Sequence, residues 1–305
     1  MSSDIREDLI KKTYFTVLYF NCLHRPPTTF EVWRHFLDLS GDFGKVSFLE
    51  ISKTLEFLKT KKKILTKKGF WVVSGKTPLS DRRIICQKSA FRKTKRAKFW
   101  IGFIKKLPFI RGVFITGTLA LKTSATGSDW DILVVMKKDR IWLGRLILTG
   151  FLFLIGKKRR TGEIRNRFCL NHYLTEKNLI PEKRNEYSAC EFGFIYPVFN
   201  QKLFNNFARL NWNWQRKFNP NFEVGRGLES SLLIQGSSNF LRDFFEKILE
   251  IGGLAEFLNK LCKKFMTERI DNNPRTFKKG AVVIYHDGEL AFWPEFKTLD
   301  QILEI

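Results

Sequence analysis

The 305-residue sequence predicts an α+β protein, with helices at its front, strands in its middle and helices again over its last third. Three observations carry that expectation. Two capping boxes, Thr28/Glu31 and Ser47/Glu50, each open a run of apolar residues at helical spacing. Two β-rich apolar runs, Gly112–Thr116 and Ile132–Val135, lie in mid-chain, and helical periodicity dominates beyond Phe199. With 44% hydrophobic and 28% charged residues the chain can bury a sizeable core, and its length suits about two domains.

Ser3 and Asp4 are start signals for a first helix through Ile5, Leu9, Thr13 and Val17 to about Cys22, which Arg25-Pro26-Pro27 stops. Thr28 caps a second helix, Phe30–Asp38, with Val32, Trp33, Phe36 and Leu37 on its apolar side. Ser47 opens a third, where Phe48, Ile51, Leu55 and Leu58 form one stripe. Ile64 to Val73 then reads as two short strands around Lys67-Lys68-Gly69.

Three helices followed by a basic hairpin resemble a winged-helix domain. That resemblance places the third helix in the major groove, with Ser52, Lys53 and Glu56 facing outward and Lys61, Lys62, Lys63, Lys67 and Lys68 at phosphates. Winged helices also serve as docking or dimerisation modules, which leaves the partner of this region open between nucleic acid and protein.

The stretch Lys76–Lys106 is basic and helical and connects to the next domain. Its run Arg92-Lys93-Thr94-Lys95-Arg96-Ala97-Lys98 either follows a nucleic-acid backbone or solvates an exposed helix. Between Ile51 and Ile110 there are 18 Lys or Arg against only Glu56 and Asp81, and the whole chain carries a net charge of +24. That imbalance suits a polyanionic partner and predicts steep salt dependence; lysine-rich solvated faces are the plainer alternative.

The chemistry concentrates in Gly112–Met136. An apolar strand runs to Thr116, Gly117-Thr118 turns the chain into a helix over Leu119–Thr123, and the polar turn Ser124–Ser128 leads to Asp129-Trp130-Asp131 at the head of a second apolar strand. A glycine at the turn lets backbone approach a phosphate, and the following helix start offers free N–H groups. Residues two apart on a strand share a face, so both acids project together while Trp130 goes to the other side. Two adjacent carboxylates repel each other unless divalent cations compensate them.

This ordered set of strand, Gly-Thr turn, helix, Ser-Asp-x-Asp and strand resembles the DNA polymerase β-like nucleotidyltransferases. The resemblance covers about 25 residues directly and, with the surrounding strands and helix, about 90. It implies a central mixed sheet with flanking helices. It also implies Mg²⁺ or Mn²⁺ on Asp129 and Asp131, an NTP substrate near Gly117, Thr118 and Ser128, and attack by a hydroxyl on the α-phosphate with loss of pyrophosphate.

Family members often carry a third carboxylate on a later strand. In the run Arg167–Leu174 the inward polar position falls to Asn171, expected here as the third metal ligand, although its amide brings no charge and cannot act as a base. Glu163, Glu176 and Glu191 are alternative third acids, and weak catalysis is the remaining alternative. His172 on the same strand reads as a packed histidine. Arg145 lies in an otherwise apolar helix and wants a partner, either the triphosphate or an acid, unless it reaches out to solvent.

The rest bounds the function. Leu146–Gly156 is too short to span a bilayer and reads as a buried helix beside the active site. The polar start predicts no secretory signal, and five scattered cysteines read as reduced thiols of a cytoplasmic protein without a zinc site. Asp42-Phe43-Gly44 lacks the other kinase elements, and no GxxxxGK[ST] loop is present. Ala281–Tyr285 and Glu289–Trp293 flank Asp287-Gly288 as a hairpin.

The expected organisation is therefore a winged-helix-like domain over 1–75, a basic connector over 76–108, a nucleotidyltransferase domain over 109–198 and a mainly helical region with a terminal hairpin over 199–305. The expected activity is transfer of a nucleoside monophosphate to a hydroxyl, first of all on a nucleic-acid end. The alternative is a regulator or antitoxin-like partner that keeps the fold without turnover.

Overall fold

Two apolar faces on one strand decide the architecture. In β4 (Trp130–Met136) the residues Trp130, Ile132, Val134 and Met136 enter one core, while Leu133 and Val135 enter another. A strand buried on both faces must lie inside a sheet covered by helices on each side. The computed structural model describes residues 7–41, 44–75, 78–223, 233–234, 239–274 and 276–293.

The strands are β3 (Ile110–Ile115), β4, β5 (Phe168–Thr175), β6 (Tyr196–Phe199), β7 (Val282–Tyr285) and β8 (Glu289–Trp293). They form one mixed sheet in the order β6-β3-β4-β5-β8-β7. Only β4 and β5 are parallel, and α6 (Ile141–Leu154) lies between them in the chain. The expected terminal hairpin forms, but it adds to this sheet: β8 pairs with β5 through His172, Tyr173 and Leu174. The central sheet therefore draws strands from both sides of residue 199.

On one side of the sheet lie α4 (Leu79–Ile104), α6 and α10 (Leu254–Asp271), built around Ala97, Ile101, Trp142, Leu148 and Leu152. On the other, α7 (Glu186–Phe192) and α8 (Gln201–Phe218) pack Phe192, Phe204 and Phe207 against Phe114, Leu133 and Val135. The helix α6 is the expected Leu146–Gly156 segment. Leu148 and Leu152 are buried in it, whereas Phe153 and Leu154 stand exposed. No helix among the described residues is long and apolar enough to cross a membrane.

The front region has α1 (Glu7–Cys22), α2 (Thr29–Arg34), α3 (Phe48–Thr60) and the hairpin β1 (Ile64–Lys67) and β2 (Phe70–Val73). The signals at Ser3 and Asp4 lie outside the described residues, as do residues 42–43. Both capping boxes form, with the Thr28 and Ser47 hydroxyls accepting from the N–H groups of Glu31 and Glu50. The helix α2 stops at Arg34 rather than running to Asp38. His35 leaves helical geometry and stacks on Phe194 at 4.0 Å, so packing between regions overrides the local periodicity. Arg25 and Arg83 converge on Glu31, and Arg25 donates to the Leu121 carbonyl at 2.7 Å, fixing the front region to the centre.

Candidate functional site

The end of β3 and the start of β4, paired inside the sheet, set the site. After β3, α5 is a single turn, Gly117–Ala120, shorter than the expected Leu119–Thr123 helix because the chain reverses at Lys122, where φ is 58°. Gly117 itself has φ 57°, and a Cβ built on it would sit 2.6 Å from Asp131 Oδ2. Only glycine fits against that carboxylate. The turn therefore serves the acid directly, in addition to any approach to phosphate.

The acids converge as expected. Oxygens of Asp129 and Asp131 and the Cys169 Sγ all lie within 4.8 Å of one another. Trp130 goes to the opposite face, is 1% exposed and packs edge-on against Phe168 at 4.9 Å. The Arg159 guanidinium donates to Asp129 Oδ2 at 2.7 Å and to Cys169 Sγ at 3.3 Å. From α4, the buried Lys93 donates to the Ser128 carbonyl at 2.6 Å and is drawn toward Asp129. The Ser128 N–H closes the turn onto the Ala125 carbonyl, and Thr118 is exposed at the mouth of the Gly117 turn.

The position beside the pair on β5 belongs to Cys169 rather than Asn171. The register runs Asp131 to Cys169 and then Leu133 to His172, so β5 carries an extra residue there. That bulge breaks the alternation on which Asn171 was placed inward. Asn171 instead lines a cavity behind β5, and its Oδ1 is buried without a hydrogen-bond partner. Arg145 lines the same cavity, stacked 4.3 Å from the Phe292 ring, and forms no ion pair with the acids. His172 is packed, paired with Glu289 at 3.0 Å.

Of the three alternative acids, Glu191 stands beside the pair. Glu163 bonds Arg167 at 3.0 Å, and Glu176 lies 3.7 Å from Arg111. Glu191 reaches in from α7, accepts from the Gly117 N–H and feels the Asp131 charge. No periodicity in the sequence singles it out: it lies on the short helix α7, which covers the same sheet face that carries Asp131, Leu133 and Val135.

Charge is out of balance here. Burial, and then Asp129, push the Asp131 pKa up to about 7, while Cys169 and Arg159 oppose the shift. Burial and Asp131 raise Glu191 to about 7. Burial and the two aspartates drive the Cys169 thiol up to about 12, so it stays protonated. Neither aspartate lines the cavity behind β5, which starts at Cys169 and Arg159.

A divalent cation fits part of this donor set. Two carboxylates are the ligands Mg²⁺ takes alongside substrate phosphates, whereas a protonated thiol is a poor partner for a hard cation. Comparison with protein-family models, curated proteins and solved structures gave no match to the chain. The functional reading therefore stands on the site's own chemistry.

Proposed function

We propose that the protein is a metal-dependent nucleotidyltransferase whose cation is held by Asp129 and Asp131. One observation carries the reading: the carboxylates of Asp129, just before β4, and Asp131, within it, meet beside a glycine whose place a side chain would crowd, with a third carboxylate, Glu191, behind them. When bound, a divalent cation supplies charge neutralisation and Lewis acidity at the phosphates of an NTP.

The chain's own groups do the rest. Asp129 and Asp131 would hold that cation, and Gly117 and Thr118 leave room for phosphates to approach the backbone. Arg159 closes the site by occupying Asp129; substrate phosphates offer it a second anion, so its release from Asp129 accompanies entry. The winged-helix-like front region, with Lys61, Lys62 and Lys63 exposed, supplies a surface for a nucleic-acid acceptor. Lys67 and Lys68 are engaged with Asp81 and contribute less.

A second reading, a fold without turnover, is favoured by the Cys169 thiol in the third position and by the Arg159–Asp129 ion pair. Incubation with labelled NTPs, Mg²⁺ or Mn²⁺, and pooled RNA, DNA and protein acceptors separates the two. Label transfer that disappears in Asp129→Ala and Asp131→Ala supports the enzyme. Nucleotide binding with no transfer to any acceptor supports the regulator.

A further inference from the structure

Behind β5, between α6, α10 and the segment 158–164, lies a cavity of about 910 Å³. Its wall carries Arg145, Lys158, Arg159, Arg160 and Arg269, and no aspartate or glutamate among the described residues. Arg159 is satisfied by Asp129. The other four cations have no carboxylate partner among the described residues. Arg145 lies 4.3 Å from the Phe292 ring and Arg160 4.2 Å from the Phe153 ring.

Concentrating like charge in a partly desolvated space is unfavourable unless a counter-charge enters. The strain is visible at Lys158, whose pKa is lowered by burial and then by Arg269, Arg145 and Arg160. Arg145 is likewise lowered by burial and by Arg269. Arg160 and Arg269 are exposed at the rim, Arg145 and Lys158 are half-buried, and all four surround a common space. The same wall offers a buried Asn171 Oδ1 with no hydrogen-bond partner, an acceptor suited to a ligand hydroxyl. Phe265 and Phe292 add aromatic surface.

We propose that this cavity binds a nucleoside polyphosphate, with its linked phosphates among Arg145, Lys158, Arg160 and Arg269. The volume falls within the range of small-ligand pockets, about 300–1,000 Å³, which favours a nucleotide-sized molecule over a polymer. Guanidinium groups pair with phosphate in forked geometry, and four cations match the charge of a triphosphate. The site lies on the α6 and α10 side of β5 and adjoins the carboxylate pair through Arg159 and Cys169, but neither aspartate lines it, so it stands whether or not that pair transfers nucleotides.

The test is calorimetric titration of the full chain, in EDTA, with ATP, GTP and inorganic tripolyphosphate. Binding is expected without metal, and Lys158→Glu with Arg269→Glu weakens it by about tenfold or more, as charge-assisted bonds are lost. Arg160→Glu, at the exposed rim, serves the same purpose if the double variant unfolds. Asp129→Ala with Asp131→Ala binds at least as tightly as the unaltered chain, which separates this site from the proposed transferase centre. Nucleotides binding more tightly than tripolyphosphate support the full proposal. Tripolyphosphate binding as tightly as nucleotides overturns the nucleoside part and leaves a polyphosphate site. No binding by any of the three, or binding unaffected by the charge reversals, overturns the site altogether.

Discussion

On one side of β5, Asp129, Asp131 and Glu191 cluster with one ion-paired guanidinium, Arg159 on Asp129; on the other, Arg145, Lys158, Arg160 and Arg269 surround a space with no carboxylate among the described residues. The first cluster sits against a tight turn with little open space, and the second lines a cavity of about 910 Å³. Both hold charge at a desolvation cost that packing alone does not repay. The difference in space points to different partners: a bare cation for the acids, a molecule for the bases. Arg159 and Cys169 stand at the boundary and touch both.

The sharpest break of that comparison is Asp131→Ala. Transfer activity should fall by a factor on the order of a thousand, while metal-free polyphosphate binding behind β5 persists. Loss of both together would merge the two sites into one. Gly117→Ala comes next. Its Cβ would lie 2.6 Å from Asp131 Oδ2 at a φ of 57°, so denaturant unfolding should show a loss of about 1–3 kcal/mol together with reduced transfer.

A pH series sharpens the acid side. Asp131 and Glu191 have folded pKa values of about 7, raised from the ordinary 3.8 and 4.5. The folded state therefore holds protons that the unfolded state has released, and these two groups cost stability as pH climbs from about 4 to 7. Asp131→Asn should flatten that decline in thermal unfolding midpoint. Mn²⁺ should stabilise the unaltered chain more at pH 8 than at pH 5, because protonated carboxyls do not bind metal. An equal Mn²⁺ effect at both values would detach the acids from metal binding. The smallest expected effect lies in the front region: neutralising Lys61, Lys62 and Lys63 should weaken nucleic-acid binding modestly and reduce its salt slope by about one per lost phosphate contact.

Much of the acid side was legible in the sequence, because a two-residue spacing on a strand is local geometry: Asp129 and Asp131 share a face, and Trp130 opposes them. The capping boxes and both hairpins were legible for the same reason. Cys169 was not, since a β-bulge in β5 shifts the alternation and no composition signal marks a bulge there. Glu191 reaches the site from α7 and Arg159 from a loop, through contacts that no periodicity encodes. The basic cavity was visible only as scattered cations, Arg145 in one helix and Lys158 and Arg160 beyond it. Only the packing of α10, which brings Arg269, makes them a group. The terminal hairpin is local and shows in its turn residues, but its pairing with β5 is a long-range contact.

In this reading a divalent cation completes the acidic cluster. Titrating Mn²⁺ into the metal-free full chain at pH 8, with free Mn²⁺ read by electron paramagnetic resonance in the presence and absence of ATP, tests it directly. The unaltered chain should take up Mn²⁺ saturably, and Asp129→Asn with Asp131→Asn should abolish that uptake. Uptake identical in the two proteins, or none in the unaltered chain under either condition, would contradict it.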